Sequence, residues 1–347
     1  MTPAPPVPRS AAEAAYLAAH VSMIVPVALS QRAVRAVLRR DAPPAPALVR
    51  RLEARITELF ARDLRNVREG GYPEALLFQF PLRSYLRRVP SLVRDFPRVL
   101  SRRRRGAYRE VPEGEARNYP PYFRRTFHWQ SDGYLSRRSA ELYDLGVEWL
   151  FGGTADVMRR QVIPPLTRAL AGIERPRILD VACGTGRTLS QLHAALPGAR
   201  LYGLDLSPYY VQAARQLLAH VEDASFVVEN AEAMPFQDGT FDAVTSTYLF
   251  HELPRNARRA ALSEMLRVLK PGGLLVLEDS AQYAESDDVA FFLERFPEDF
   301  HEPFYRDYLK DDLAAMAREA GAEVRSVEPI FVAKLLVAQK PLRDHAP

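Results

Sequence analysis

Residues 177–188 read RILDVACGTGRT. Arg177 to Val181 is a short apolar run, Ala182 to Gly186 is glycine-rich, and Arg187 opens a helical pattern. Strand, tight turn and helix in that order begin an open α/β sheet, whose ligands bind beyond the carboxyl ends of the strands. Gly184 and Gly186 let backbone approach a ligand closely. The first turn of the following helix offers free N–H groups to an anionic group. The dinucleotide spacing G-x-G-x-x-G fails, because Leu189 stands three residues after Gly186. Asp180 ends the strand instead, an acid that is awkward beside a pyrophosphate but suits a positively charged ligand.

Outward from this turn, strand and helix signals alternate. The pattern predicts strands at 177–181, 200–205, 225–229, 241–246 and 273–278, and helices at 187–196, 208–220 and 255–269. Such alternation means crossover units and a parallel sheet with helices on both faces. A helix over 306–320 and Gly321 follow, then apolar runs at 323–328 and 330–338 parted by Pro329, which predict a terminal antiparallel hairpin. Upstream lie a helix over Ala140–Leu150, the Gly152-Gly153 break and a helix through Leu170.

The front of the chain reads differently. Residues 1–9 are Pro-rich and predict a flexible end. Ser10 with Glu13 has the spacing of a capping box before an Ala-rich run, and Pro43, Pro44 and Pro46 break that run. A second helix follows, with Leu48, Leu52, Ile56, Leu59 and Phe60 on one face, and it stops at Gly70-Gly71 and Pro73. Leu76 to Leu100 is apolar with Arg interspersed, and 106–135 is a loop rich in aromatics. The expected division is therefore 1–9, an Arg-rich helical region over 10–135, and an α/β domain over 136–347.

Composition narrows the classes. The chain has 347 residues, 47% hydrophobic and 26% charged, which excludes wholesale disorder and fibrous order. Its single cysteine, Cys183, excludes an intrachain disulfide framework and fits a reducing compartment. The longest apolar stretch, Ala14–Leu29, is 16 residues, short of the roughly 20 that span a bilayer, and the expectation is a cytoplasmic protein. The net charge of +4 hides a split: residues 1–150 hold 26 of the 47 basic residues, all Arg, against 15 of the 43 acids. The remainder has 21 basic residues against 28 acidic. A basic front half could face anionic lipid, nucleic acid, the acidic half or a second copy.

Two further strand ends carry polar groups. Asp205 ends the second strand, 19 residues after Gly186, near the spacing at which a carboxylate grips ribose hydroxyls. Glu229-Asn230-Ala231-Glu232 ends the third, where a side chain and a backbone N–H can read an adenine edge. Any one of these alone is ordinary strand-end polarity. Three in order describe an adenosine ligand with a cationic, amino-acid-bearing end, S-adenosylmethionine.

The motifs ILDVACGTG (178–186), LYGLDLSP (201–208), ENAEAMPFQDGTFDAV (229–244) and LRVLKPGGLLVLED (266–279) resemble those of the class I S-adenosylmethionine-dependent methyltransferases. The likeness is closest to the ubiquinone/menaquinone C-methyltransferase branch and runs from about Ser139 to Lys340. It implies a Rossmann-like seven-stranded sheet with the C-terminal hairpin, beside the mainly α-helical N-terminal region. It also implies a cofactor set of Asp180, Ala182, Gly184, Thr185, Gly186, Asp205, Leu206, Asn230, Ala231 and Tyr143. In that set the glycine turn cradles the methionine end, Asp205 meets the ribose, Asn230 and Ala231 meet adenine, and the helix of Tyr143 closes over the site. Ala182 stands where many relatives carry the first glycine.

Methyl transfer asks for alignment, exclusion of water and, for an oxygen or carbon acid, a base. His251, after the fourth strand, is the first candidate for that base, followed by Tyr248 and His301; no metal is expected. The expected acceptor is a small, lipophilic or aromatic molecule. The Arg-rich region suggests peripheral membrane contact, and a homodimer is open. Nucleic acid ranks lower because no recognised binding motif accompanies the Arg residues. The alternatives are a non-catalytic S-adenosylmethionine-binding partner protein and a nucleic-acid methyltransferase.

Overall fold

A computed structural model describes residues 6–37, 45–112 and 117–342, with backbone alone at 32–37, 298 and 299. Residues 1–5 and the Pro43-Pro44 part of the predicted break lie outside the described residues. Seven strands form one sheet in the order β3-β2-β1-β4-β5-β7-β6. They are β1 (Arg177–Val181), β2 (Arg200–Asp205), β3 (Ala224–Val228), β4 (Phe241–Thr247), β5 (Leu269–Ser280), β6 (Glu323–Ile330) and β7 (Ala333–Gln339). The first five are parallel; β7 runs antiparallel to β5 and to β6. Strand order reverses between β1 and β4, which places the switch point, and hence the ligand crevice, at their carboxyl ends.

The N-terminal helices are α1 (Ala11–Val37), α2 (Pro46–Arg68) and α3 (Leu82–Arg105), followed by α4 (Arg137–Leu150), α5 (Ala155–Arg159) and α6 (Ile163–Ala169). The crossovers are α7 (Arg187–Ala195), α8 (Pro208–Leu217) and α9 (Arg255–Val268). Beyond β5 come α10 (Tyr283–Ser286), α11 (Ala290–Asp299), α12 (Tyr305–Lys310) and α13 (Leu313–Glu319). Local chemistry sets several starts. Ser136 Oγ accepts from Ser139 N at α4, Ser207 Oγ from Tyr210 N at α8, and Asp312 from the first N–H groups of α13.

Four expectations need correction. The predicted helix 306–320 is two helices, because Asp312 leaves the helical conformation to cap α13. The hairpin turns at Phe331-Val332, with Phe331 at φ 56°, and not at Pro329. Pro329 sits inside β6 opposite Lys334; β6 is an edge strand, where a missing N–H is tolerated. Strand β5 begins at Leu269, four residues early, and the Lys270–Gly273 turn is an irregularity within it. Within α1, Ala11–Gln31 is long and apolar enough by length and composition to cross a membrane, more than the 16 residues read from the sequence.

The two faces of the sheet bury different partners. One face carries Ile178, Ala243 and Val276 against Val157, Met158, Ile163 and Leu166, and Tyr16, Leu59, Leu64 and Tyr72 of the N-terminal region join the same cluster. The other carries Leu179, Val244, Leu275 and Leu277 against Ala261, Leu262 and Met265 of α9 and Leu313 and Ala317 of α13. A buried polar hub ties the front of the chain to the sheet. Arg160 Nε donates to Asp63 Oδ1 at 2.6 Å and its Nη2 to Tyr16 Oη at 3.0 Å, while Tyr16 and Tyr72 donate to Asp63.

Candidate active site

The glycine turn after β1 alternates through left-handed backbone: Ala182 at φ 58°, Gly184 at 54° and Gly186 at 83°. The two glycines do different work. A Cβ on Gly186 would meet Ala214 Cβ at 3.0 Å, so its absence lets α8 pack on the turn, whereas a Cβ on Gly184 would enter open space. Ala182 keeps its Cβ in a region that L-residues enter at a cost of roughly 1–2 kcal/mol. Asp205, at the end of β2, binds both turns: Oδ2 accepts from Gly184 N at 2.9 Å and Oδ1 from Ser207 N at 2.8 Å. Burial pushes the Asp205 carboxyl up to about 6, against the pull of those two N–H groups.

Asp180 is fully buried and neither of its oxygens accepts a hydrogen bond. Burial, with the Asp205 charge adding, drives its pKa well above the usual carboxylate range. An unpartnered buried carboxylate is expensive and marks a place for a cation. Glu278, near the end of β5, also has no hydrogen-bond partner on either oxygen, and burial pushes it up to about 8.

A cavity of about 90 Å³ lies at these strand ends. Ala182, Gly184, Asp205, Leu206, Asn230, Ala231, Tyr143 and Tyr248 line it, so eight of the thirteen sequence-predicted residues converge. Thr185 faces elsewhere: its hydroxyl donates to Asp144 at 2.8 and 2.9 Å, locking α4, which carries Tyr143, to the turn. Asn230 is engaged in its own turn, accepting from Glu232 N at 3.0 Å. An aromatic collar narrows the cavity. Tyr122, Phe123, Phe127 and Tyr134 come from the loop before α4, and Tyr134 meets Tyr143 and Tyr210 edge-on at 6.0 and 5.3 Å. A larger hollow, about 370 Å³, lies between α2, α6 and the hairpin; none of the residues predicted for the site lines it.

Of the three predicted bases, His251 and His301 do not line the cavity. His251 is buried, its Nδ1 is 2.7 Å from Asp279 Oδ1, and Tyr248, Tyr305 and Tyr308 surround its ring at 5.8 to 6.2 Å. Burial alone would lower its pKa; the Asp279 charge outweighs that and raises it. Asp279 also accepts from Phe250 N at 2.6 Å and Ser280 N at 2.7 Å, so the pair fixes the loop after β4. His301 stacks on Tyr108 at 4.8 Å, and burial, with Arg125 assisting, pushes it down to about 4. Tyr248 does reach the cavity, from a backbone at φ 60°. Glu252, in the same candidate loop after the fourth strand, lines it too; it accepts a hydrogen bond from Tyr134 across 118 residues, a pairing no local pattern encodes.

A methyltransferase domain family matches residues 178–273. Curated relatives include demethylmenaquinone methyltransferases from three bacteria. The Thermotoga maritima protein is 32% identical over 57% of this chain and 90% of its own length. The Thermus thermophilus protein is 39% identical over 40% of this chain and the Clavibacter sepedonicus protein 40% identical over 32%. The chain spans 60% and 44% of the length of those two. The chain belongs to the class I S-adenosylmethionine-dependent methyltransferases of the ubiquinone/menaquinone type, and its cofactor is S-adenosylmethionine. Asp180 does not line the cavity; its orphaned carboxyl lies buried behind the turn, and with the open space before Gly184 it suits a ligand with a cationic amino-acid end.

Proposed function

We propose that the chain methylates a small, flat, lipophilic acceptor of the reduced-quinone type. The observation that carries this is the cavity itself, where the cofactor strand ends and the aromatic collar share one lining with Leu249 and Leu253. Flat apolar surface against aromatic rings is favourable, and Tyr hydroxyls can orient polar ring substituents. The demethylmenaquinone methyltransferases among the relatives agree with this acceptor class.

When bound, S-adenosylmethionine supplies a methyl group already activated on a sulfonium. Asp180 would hold its ammonium end, Asp205 its ribose hydroxyls, and the backbone at Asn230 and Ala231 its adenine. The collar excludes water. Thr247 and Glu252 place polar side chains at the β4 end of the cavity, while Tyr248 lends its ring and turns its hydroxyl to Met158 Sδ at 3.5 Å. His251, turned toward Asp279, positions the loop that carries them. The test is turnover of the full chain with S-adenosylmethionine and a demethylated naphthoquinol carrying a short isoprenoid tail. S-adenosylhomocysteine formed with the quinol and not with amine or nucleic-acid acceptors supports the reading; formation with nucleic acid alone overturns it.

We also infer contact with an anionic lipid surface, on the strength of α3. Leu82, Leu86, Val89 and Val93 repeat at helical spacing and are 50, 61, 40 and 65% exposed. Exposed Arg83, Arg87 and Arg94 flank that stripe, while Tyr85, Asp95 and Arg102 are buried. An apolar stripe with cations beside it suits the headgroup boundary of anionic lipid, which is where a lipophilic acceptor resides.

A further inference from the structure

We propose that His128, Glu252 and Glu302 bind one divalent first-row transition-metal ion at the rim of the cofactor cavity. The three residues come from separate segments. His128 lies in the turn Phe127–Trp129 of the aromatic loop, Glu252 ends the turn Phe250–Glu252 after β4, and Glu302 precedes α12. Their donor atoms all lie within 4.8 Å of one another. His128 Nε2 is 3.1 Å from Glu302 Oε1 and 3.5 Å from Glu252 Oε1. Ligands bound at about 2.1 Å sit roughly 3.0 Å apart on an octahedral edge and roughly 3.4 Å apart on a tetrahedral one, which the two edges from His128 already match, while the two carboxylates lie within 4.8 Å of each other.

Glu302 supplies the independent observation. Its side chain is 0% exposed, and neither oxygen accepts a hydrogen bond. The imidazole nitrogen is close enough to donate to Oε1, yet the pair does not have the alignment of a hydrogen bond. A buried carboxylate with no hydrogen-bond donor, beside a second carboxylate, has only the His128 imidazole to share with it, and a dication would neutralise both acids.

The surroundings are arranged as supports for ligands. Tyr134 donates to Glu252 Oε1 and so fixes that carboxylate, as outer hydrogen bonds do for metal ligands. His128 is held at φ 54° and ψ 16°, an uncommon backbone for a non-glycine residue that aims its ring at the two acids. An imidazole with two carboxylates favours Mn²⁺, Fe²⁺ or Zn²⁺ over Mg²⁺ and Ca²⁺. Glu252 also lines the cavity, so open positions on the ion would face an oxygen of the acceptor or water. The site rests on these three side chains and does not depend on which acceptor is methylated.

The test is titration of the chelator-stripped full chain with Mn²⁺ alone, followed by electron paramagnetic resonance, for the parent, Glu302→Gln and His128→Ala. The expected result is one tightly held Mn²⁺ per chain in the parent and at least tenfold weaker binding in each variant. Far-UV circular dichroism checks folding; if Glu302→Gln fails to fold, His128→Ala, whose side chain is 18% exposed, decides alone. Binding of S-adenosylmethionine by the same samples localises any loss to the metal site. A folded parent that holds no Mn²⁺, or a His128→Ala variant that holds it as tightly as the parent, overturns the proposal.

Discussion

Ala182 occupies left-handed backbone where glycine is at ease. Ala182→Gly is therefore expected to leave the turn intact and stabilise the protein by about 0.5–1 kcal/mol, read as a raised midpoint in denaturant. Loss of stability instead would show that the Ala182 methyl makes a packing contribution larger than its strain. His251→Gln is expected to lower turnover less than tenfold, because the ring faces Asp279 and not the cavity; loss of all turnover would restore it as the base. The positions of Asp180, Asp205 and Asn230 were legible because each sits at a strand end that the alternation dictates, whereas Tyr143 lies on α4. Their partners were not. Glu252, Tyr134 and His128 meet only through tertiary packing, and His251 was placed correctly after β4 but aimed wrongly, since side-chain direction there depends on Asp279.

Among elements, the join between α2 and the α5–α6 segment rests on the Asp63–Arg160 pair, which is buried together with Tyr16 and Tyr72. Removing one partner leaves an uncompensated buried charge, at a typical cost of 3–5 kcal/mol. Arg160→Met is thus expected to destabilise by that order in urea unfolding, and Asp63→Leu together with Arg160→Met by less than the sum. Strict additivity would mean the two side chains do not act as a pair. The crossover units were foreseen closely: β1 and β2 match the predicted bounds, α7 and α9 each stop one residue short, and α8 stops three short. The misses fall where periodicity gives no information. Pro329 interrupts the apolar pattern without turning the chain, and Asp312 turns the chain where the pattern continues.

For the molecule as a whole, buried acids govern the response to pH. Burial pushes Glu278 and Glu148 up to about 8, with Asp156 adding for Glu148. In the unfolded chain such groups ionise near 4.5. Between those values the folded state holds protons that the unfolded state lacks, so stability is greatest below about 4.5 for these groups and is lost as pH rises through 8. His20, pushed down to about 4 by burial, contributes the opposite slope, but only below about 6.5. The cofactor-free protein is therefore expected to lose thermal stability between pH 6.5 and 8, by up to about 1.4 kcal/mol per pH unit for each acid. Glu278→Gln should flatten that slope, and an unchanged slope would contradict the assignment. The charge split has a corresponding test. Vesicles containing anionic lipid are expected to float the full chain, and Leu86→Glu with Val93→Glu should abolish flotation while leaving the fold intact. Equal flotation of parent and variant would discard the lipid surface.

Calorimetric titration of S-adenosylmethionine into the full chain decides whether carboxylates at adjoining strand ends hold the cofactor. One site per chain is expected, with at least tenfold weaker binding in Asp180→Asn and in Asp205→Ala, and weaker binding by the parent as pH falls below 6, where Asp205 takes up a proton. Binding of equal strength in the parent and both variants would contradict it.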